Sequence, residues 1–199
     1  MTWSSIGNSE IDAESPLDET LMTKIRDNLV YLYDRVAMIL LDDQTVSGVT
    51  EVIVNGKFTS AYKEYIWVLE ELKAPSANSN VTMLVSTDGS TYSTASYAQG
   101  AANTVMGSAN AAFTLSSAGL ALLGNTDYPM DGEIRIFNPL SSASRKQFQW
   151  SINYKLSSGD RSWTLQGGTW EAATSAIVAL KITMGGNTFN GRFKLFGIP

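Results

Sequence analysis

Apolar residues near the start of the chain recur at helical spacing. They are separated by steps of 3, 4, 3, 4 and 3 residues, and the positions are Met22, Ile25, Leu29, Leu32, Val36 and Ile39. This is the spacing of a coiled-coil seam, and it predicts a helix from about Pro16 to Leu41. Ser15 suits the N-cap of that helix, and Asp18 places negative charge at its first turn.

The seam of this helix allows two interpretations. In the first, one amphipathic helix packs on its own β domain. In the second, the seam joins copies of the chain, because the apolar stripe is narrower than the one a globular helix usually buries. Leu at one seam position with Ile at the next also disfavours a two-stranded coil. The second interpretation predicts a parallel homotrimer.

After Asp43 the hydrophobic period changes from helical to two. Phe148, Trp150 and Ile152 alternate with polar residues, which is typical of a half-buried antiparallel strand. Similar patterns predict further strands at residues 51–54, 62–72, 81–86, 112–116, 133–138, 162–170, 177–184 and 188–198. Between them, residues 94–110 are rich in Ala, Ser, Gly and Asn, and they predict a long surface loop.

These patterns predict a mainly β protein in three parts. Residues 1–15 form an N-terminal docking segment, residues 16–45 form a coiled-coil-like helical stem, and residues 46–199 form a head. Eight to nine strands without intervening helices favour an antiparallel β-sandwich or jelly roll for the head.

Composition narrows the classes of function. The chain has no Cys and no His, which removes the commonest metal ligands and the usual nucleophile and base pairs of enzymes. Glu70 and Glu71 are expected on opposite faces of a strand, and the Asp88-Gly89 step predicts a turn rather than a calcium loop. We therefore expect no enzymatic activity, no cofactor and no metal.

Charge narrows the classes of partner. The net charge is -5, and residues 1–43 hold nine acidic and three basic residues, whereas the rest is close to neutral. Such a chain is a poor match for nucleic acid or an anionic membrane, and it has no long apolar run for membrane insertion. The first residues lack the features of a signal peptide, which predicts assembly in the cytoplasm of the producing cell.

Three aromatic or apolar positions are candidate contact residues. Trp3 and Ile6 precede the helix; they anchor the N-terminus in a neighbouring subunit or pack on their own helix. Strand parity predicts that Trp150 and Trp163 are in the core. Trp170 follows the Gly167-Gly168 pair, so it is the candidate for an exposed, sugar-stacking surface.

The N-terminal run WSSIGNSEIDAESPLDETLMTKIRDNLVYLYDR, from Trp3 to Arg35, resembles the opening of tailed-bacteriophage virion proteins. The last strand, RFKLFGI from Arg192 to Ile198, is similar to the closing strand of their β-rich heads. The resemblance implies a trimeric fibre, spike or decoration protein in a virion assembled in the bacterial host cytoplasm, with other capsid or tail proteins as partners.

This resemblance leaves three functions open. The first is a fibre or spike whose head adheres to the host surface, with a surface glycan as the ligand. The second is a capsid decoration protein that stabilises the particle. The third is a soluble carbohydrate-binding module with no virion.

Overall fold

The structure is a computed structural model, and it describes residues 6, 19–33, 38–73, 80–105, 108–116, 120–124, 129–155, 161–184 and 186–199. These residues form one helix and twelve strands. In chain order the elements are α1 (Glu19–Tyr33), β1 (Ile39–Val49), β2 (Glu51–Asn55), β3 (Glu64–Lys73), β4 (Asn80–Ser86), β5 (Tyr97–Val105), β6 (Ser108–Ser116), β7 (Leu120–Gly124), β8 (Met130–Phe137), β9 (Lys146–Lys155), β10 (Arg161–Trp170), β11 (Ala179–Thr183) and β12 (Phe189–Ile198). In this part of the chain, no helix is long and apolar enough to cross a membrane.

The helix ends earlier than the sequence predicts. It stops at Tyr33, and the strand β1 begins at Ile39, so the prediction of a helix reaching Leu41 is wrong. Ile39 and Leu40 pair with Gly197 and Phe196 of β12, and this long-range pairing outweighs the local helical pattern. Ile39 therefore does not continue the predicted seam.

The β strands form a compact unit of their own. This unit covers residues 39–198 and begins at the first residue of β1. Helix α1 belongs to a separate unit. The predicted seam residue Val36, the docking residue Trp3 and most of the segment 1–15 lie outside the described residues.

The β unit contains two antiparallel sheets. The larger has eight strands in the order β1-β12-β3-β8-β9-β10-β5-β6, and the smaller has four in the order β2-β11-β4-β7. Buried apolar side chains of both sheets belong to one continuous core cluster. This confirms the predicted mainly β, antiparallel fold, and a core shared by two sheets is consistent with a β-sandwich.

Alternation along each strand explains which side chains form that core. In β12, Phe189, Phe193 and Leu195 are buried while the residues between them are more exposed, and β9 shows the same pattern. The core members from the larger sheet include Tyr65, Trp67, Leu69, Ile134, Ile136, Phe148, Trp150, Ile152, Phe193 and Leu195. Those from the smaller sheet include Val52, Val54, Val81, Met83, Val85, Leu180 and Ile182.

The nine strands predicted from alternation are all present, but three further strands were missed. The predicted loop at residues 94–110 is wrong, because it contains β5 and the start of β6, which pair from Tyr97↔Ser116 to Val105↔Ser108. These strands are rich in Ala, Ser, Gly and Asn, so they lack the aromatic and β-branched residues that signal a strand. Strand β1 was missed because its first residues continue the helical spacing of the preceding segment. Strand β7 was missed because it has only five residues, which is too short for a clear alternation.

Candidate ligand-binding surface

The described tryptophans of the β unit divide into three that are buried and one that is exposed. Trp67, Trp150 and Trp170 are buried, whereas Trp163 is 43% exposed. The prediction that Trp150 is in the core is therefore confirmed. The other two predictions are wrong. Trp163 is predicted in the core and is exposed, whereas Trp170 is predicted to be exposed and is buried.

Register explains the position of Trp170. Trp170 pairs with the buried residue Lys146 of β9. Gln166, four residues earlier in β10 and therefore on the same face, is also buried. The indole Nε1 of Trp170 donates a hydrogen bond to Ser93 Oγ at 3.1 Å. Because β10 keeps its pairing through Gly167 and Gly168, those glycines do not turn Trp170 outward. Trp170 is consequently a core residue rather than a ligand surface.

Trp163 lies on the outer face of the larger sheet. Leu165, two residues further along β10, is 37% exposed, so both apolar side chains project to the same side. Their cross-strand partners on β9 are Asn153 and Ser151. The sequence of β10 has apolar residues on both faces, and for this reason parity alone did not show which face is buried.

Three rows of paired residues cross β10, β9 and β8, and the first of them begins at Trp163. They are Trp163–Asn153–Asp131, Leu165–Ser151–Glu133 and Gly167–Gln149–Arg135. On β9, Gln149 and Asn153 are exposed and Ser151 is half-buried. The result is an apolar pair, Trp163 and Leu165, bordered by uncharged amide and hydroxyl side chains.

Hydrogen bonds fix the polar border of this surface. Trp163 Nε1 donates to Ser151 Oγ at 2.8 Å, which ties the indole to β9. Arg135 donates through Nε to Glu133 at 3.1 Å and through Nη1 to Glu64 at 3.0 Å. The hydrogen bond that Arg135 donates to the Glu133 carboxylate raises the pKa of Arg135 above its ordinary value. The guanidinium is therefore held by its own sheet.

A second surface feature is an open groove of about 710 Å³ at one end of the larger sheet. It lies where register shifts interrupt three neighbouring strands, between Val46 and Val49, between Leu69 and Leu72, and between Asn190 and Arg192. Its lining includes both Glu70 and Glu71, and Glu71 has a φ of 52°. The expectation that these two residues lie on opposite faces therefore fails, because a bulge breaks the alternation there.

Two of the four charged residues that line this groove, Glu70 and Arg192, form ion pairs within the fold. Glu70 Oε1 accepts a hydrogen bond from Lys194 Nζ at 2.6 Å, and Asp43 accepts two from Arg192 at 2.9 and 2.7 Å. The bond from Arg192 lowers the pKa of Asp43. Among the described residues, no group of three or more acidic side chains is placed to hold a metal ion. Glu70 and Arg192 are therefore held in ion pairs, whereas the carboxyl groups of Glu71 and Asp131 also line the groove, and Asp131 Oδ1 accepts a hydrogen bond from the backbone N–H of Glu71 at 2.8 Å.

The residues after β4 form the predicted turn. Asp88 Oδ1 accepts hydrogen bonds from the backbone N–H of Ser90 at 2.8 Å and of Thr91 at 2.7 Å. Gly89 has a φ of 79°, which favours glycine at that position. Since the Asp88 carboxylate is engaged by its own turn, this is a capped turn with the chemistry of an Asx motif.

We expect this turn to make stability depend on pH. The N–H groups of Thr91 and Ser90 hold the pKa of Asp88 far below its ordinary value. A depressed folded-state pKa gives stability that is present above about pH 4 and is lost as pH falls toward the folded-state pKa. The difference in Tm between the wild type and Asp88→Asn should therefore be positive at pH 7 and shrink below about pH 4.

Thermal unfolding followed by circular dichroism between pH 2 and pH 7 measures this difference. Thr87→Ala is the control, because it changes an exposed neighbour of Asp88 without removing a titratable group. Its Tm difference from the wild type should not vary with pH. A gap for Asp88→Asn that stays constant down to pH 2 would contradict the assignment.

Helix α1 leaves part of the predicted seam exposed. Met22 is 51% exposed and Leu29 is 61% exposed, and their separation of seven residues places them on the same helix face. Ile25, between them, is half-buried. Leu21 and Asn28, on the adjacent face, are buried. The side chain of Leu32 is not among those described, and Ile6, predicted to dock, is half-buried.

No protein-family model, curated protein or solved structure matches this chain. Its function must therefore be argued from the geometry of its own residues. Among the described residues, the exposed apolar features include the Met22–Leu29 face of α1 and the Trp163–Leu165 pair on the outer sheet face, besides Met38 and Leu40. Both the face and the pair have the chemistry of contact surfaces, because large apolar side chains in water gain free energy when a partner covers them.

Proposed function

We propose that this protein is a non-enzymatic structural protein of a tailed-bacteriophage virion. It is a homotrimeric fibre or spike, joined through helix α1, that displays its β-sandwich for adhesion to the host surface. Residues 1–15 dock on other capsid or tail proteins, and assembly occurs in the bacterial host cytoplasm. The observation that carries this proposal is the exposed Met22–Leu29 face on the helix.

An exposed stripe of this kind favours association. Met22 and Leu29 are large apolar side chains, and leaving both in water forgoes about 1.5–3 kcal/mol for each side chain that could be fully buried. A helix of 15 residues is marginally stable alone in water. Packing three such helices along the Met22–Leu29 face buries the stripe and stabilises the helix at the same time.

The strand order of the β unit is consistent with a capsid-type or lectin-type head. Without the inserted pairs β5–β6 and β9–β10, eight strands remain, arranged as β1-β12-β3-β8 and β2-β11-β4-β7. Among these eight strands the first pairs with the eighth, the second with the seventh, the third with the sixth and the fourth with the fifth. This is the strand order of a jelly roll, an architecture used by viral capsid proteins, lectins and cupins.

The trimer is tested by light scattering on the full chain and on Leu29→Glu. The wild type should have three times the chain mass of 21.5 kDa. The variant should fall to about one third of the trimer mass, because three like charges would meet at the helix seam. Thr20→Glu is the matched control, since Thr20 is exposed on the same helix and its variant should stay trimeric.

Two results would count against this assembly. One is a wild type that remains monomeric even when purified particles are supplied as a platform. The other is a Leu29→Glu variant with unchanged mass. A shortened chain should begin at Met38, because β1 starts at Ile39 and removing it would damage the sheet. That chain is expected to be monomeric.

A capsid decoration protein is the second candidate function. The acidic residues 1–43, joined to a nearly neutral remainder, fit a segment that docks on a shell. A decoration protein should raise the melting temperature of particles that carry it. If particles with and without the protein melt at the same temperature, the decoration role is excluded and the fibre or spike role remains.

A further inference from the structure

We propose that Trp163 is the centre of a binding site for six-membered-ring sugars on the outer face of the larger sheet. The site comprises Trp163, Leu165, Asn153, Ser151 and Gln149. It deepens the adhesion role proposed above, and it rests on that role only for its biological use. The ligand class is a pyranoside that presents a face of C–H groups to the indole.

The geometry of Trp163 suits stacking. The side chain is 43% exposed although its strand is internal to the sheet, since β10 is paired with β9 on one side and β5 on the other. Its Nε1 bond to Ser151 restrains the ring at 2.8 Å. A ring already fixed in place loses little conformational entropy when a ligand binds.

The surroundings of the ring suit a hydroxyl-rich ligand. Gln149 and Asn153 are exposed, and each side-chain amide can donate and accept hydrogen bonds. Gly167 lies in the same row as Gln149 and has no side chain, which leaves a flat strip beside Leu165. A sugar can thus stack on the apolar pair while its hydroxyl groups reach the amides of β9.

Three copies of the site would compensate for weak individual binding. A shallow surface of one indole and a few amides should bind a monosaccharide with a Kd on the order of 1 mM. A homotrimer presents three such sites to one cell surface, and this raises the effective concentration of each remaining site after the first contact.

The test is saturation-transfer NMR on the full chain. The probes are the methyl glycopyranosides of glucose, galactose, mannose and N-acetylglucosamine, each supplied separately. We expect transfer to the ring C–H protons of at least one probe. Trp163→Ala should weaken its binding at least tenfold, and Trp163→Phe should retain part of it because a smaller aromatic face remains.

Leu40→Ala is the matched control. Leu40 is 50% exposed and lies on β1, five strands away from β10 in the same sheet, or roughly 24 Å. Its variant should bind each probe as the wild type does. Trp163→Ala should still unfold in one cooperative transition above the temperature of the binding assay, so that lost binding cannot be attributed to unfolding.

Three outcomes overturn the proposal. They are the absence of transfer to every probe, equal binding by the wild type and Trp163→Ala, and a change of oligomeric mass in Trp163→Ala, which would make this patch a contact between copies. The assembly proposal fails separately, through the mass of the wild type and of Leu29→Glu. A trimer without sugar binding rejects only the site, and a monomer that binds sugar rejects only the trimer.

Discussion

Replacing Trp67 with alanine is expected to lower the free energy of unfolding by about 3–5 kcal/mol. Trp67 is fully buried in the middle of β3, and its ring lies 6.0 Å from that of Phe193 between centroids. Deleting the indole removes apolar burial and leaves a cavity that the paired strands on both sides prevent from collapsing. Urea unfolding followed by far-UV circular dichroism measures the loss.

Trp163→Ala is the control for this experiment, since it makes the same chemical change on the exposed face. We expect it to lower the free energy of unfolding by about 1–2 kcal/mol, less than Trp67→Ala, because part of the Trp163 indole is already exposed to water. All variants should be compared at one protein concentration, because association also contributes to apparent stability. Equal losses at the two positions would contradict the assignment of core and outer faces.

Replacing Lys146 with methionine should cost about 2–4 kcal/mol, the second large effect. Lys146 is 1% exposed, and its Nζ donates to the carbonyl oxygens of Ser141, Ser144 and Thr174. The ammonium has three protons and meets three acceptors, so its hydrogen bonds are complete. It joins the loop before β9 to the segment before β11. Methionine has similar length but cannot donate, and it leaves all three carbonyls without this partner.

Arg145→Met is the matched control for Lys146. Arg145 is the preceding residue, and its exposed guanidinium lies 3.5 Å from Glu171. An exposed ion pair contributes about 0–1 kcal/mol, so this variant should remain close to the wild type in urea. If the two variants lost equal stability, the three carbonyl bonds of Lys146 would not be important to the fold.

The sequence predicted the mainly β, antiparallel fold well because alternation and burial agree along most of its strands. In β9, Phe148, Trp150 and Ile152 alternate with polar residues, and they enter the core as expected. Prediction failed where local pattern and long-range pairing conflict. The helical spacing of residues 22–39 continues into β1, and nothing local indicates that Ile39 pairs with Gly197, 158 residues later.

The candidate sugar site was only half predictable. The abundance of tryptophan suggested a stacking surface, but the sequence assigned it to Trp170 rather than Trp163. Apolar residues occur on both faces of β10, and the buried face is decided by the pairing of β10 with β9. The bulge at Glu70 and Glu71 could not be predicted either, because the composition of a strand does not reveal where its register shifts.

The pairing of β1 with β12 has a consequence for the order of folding. The last strand of the chain lies between β1 and β3, so the first strand cannot join the larger sheet until β12 has been synthesised. Helix α1 belongs to a separate compact unit and its backbone hydrogen bonds are local, so it can form much earlier. During translation, neighbouring nascent chains could thus meet through their helices before any head is complete, and a chain that ends before β12 would leave β1 unpaired.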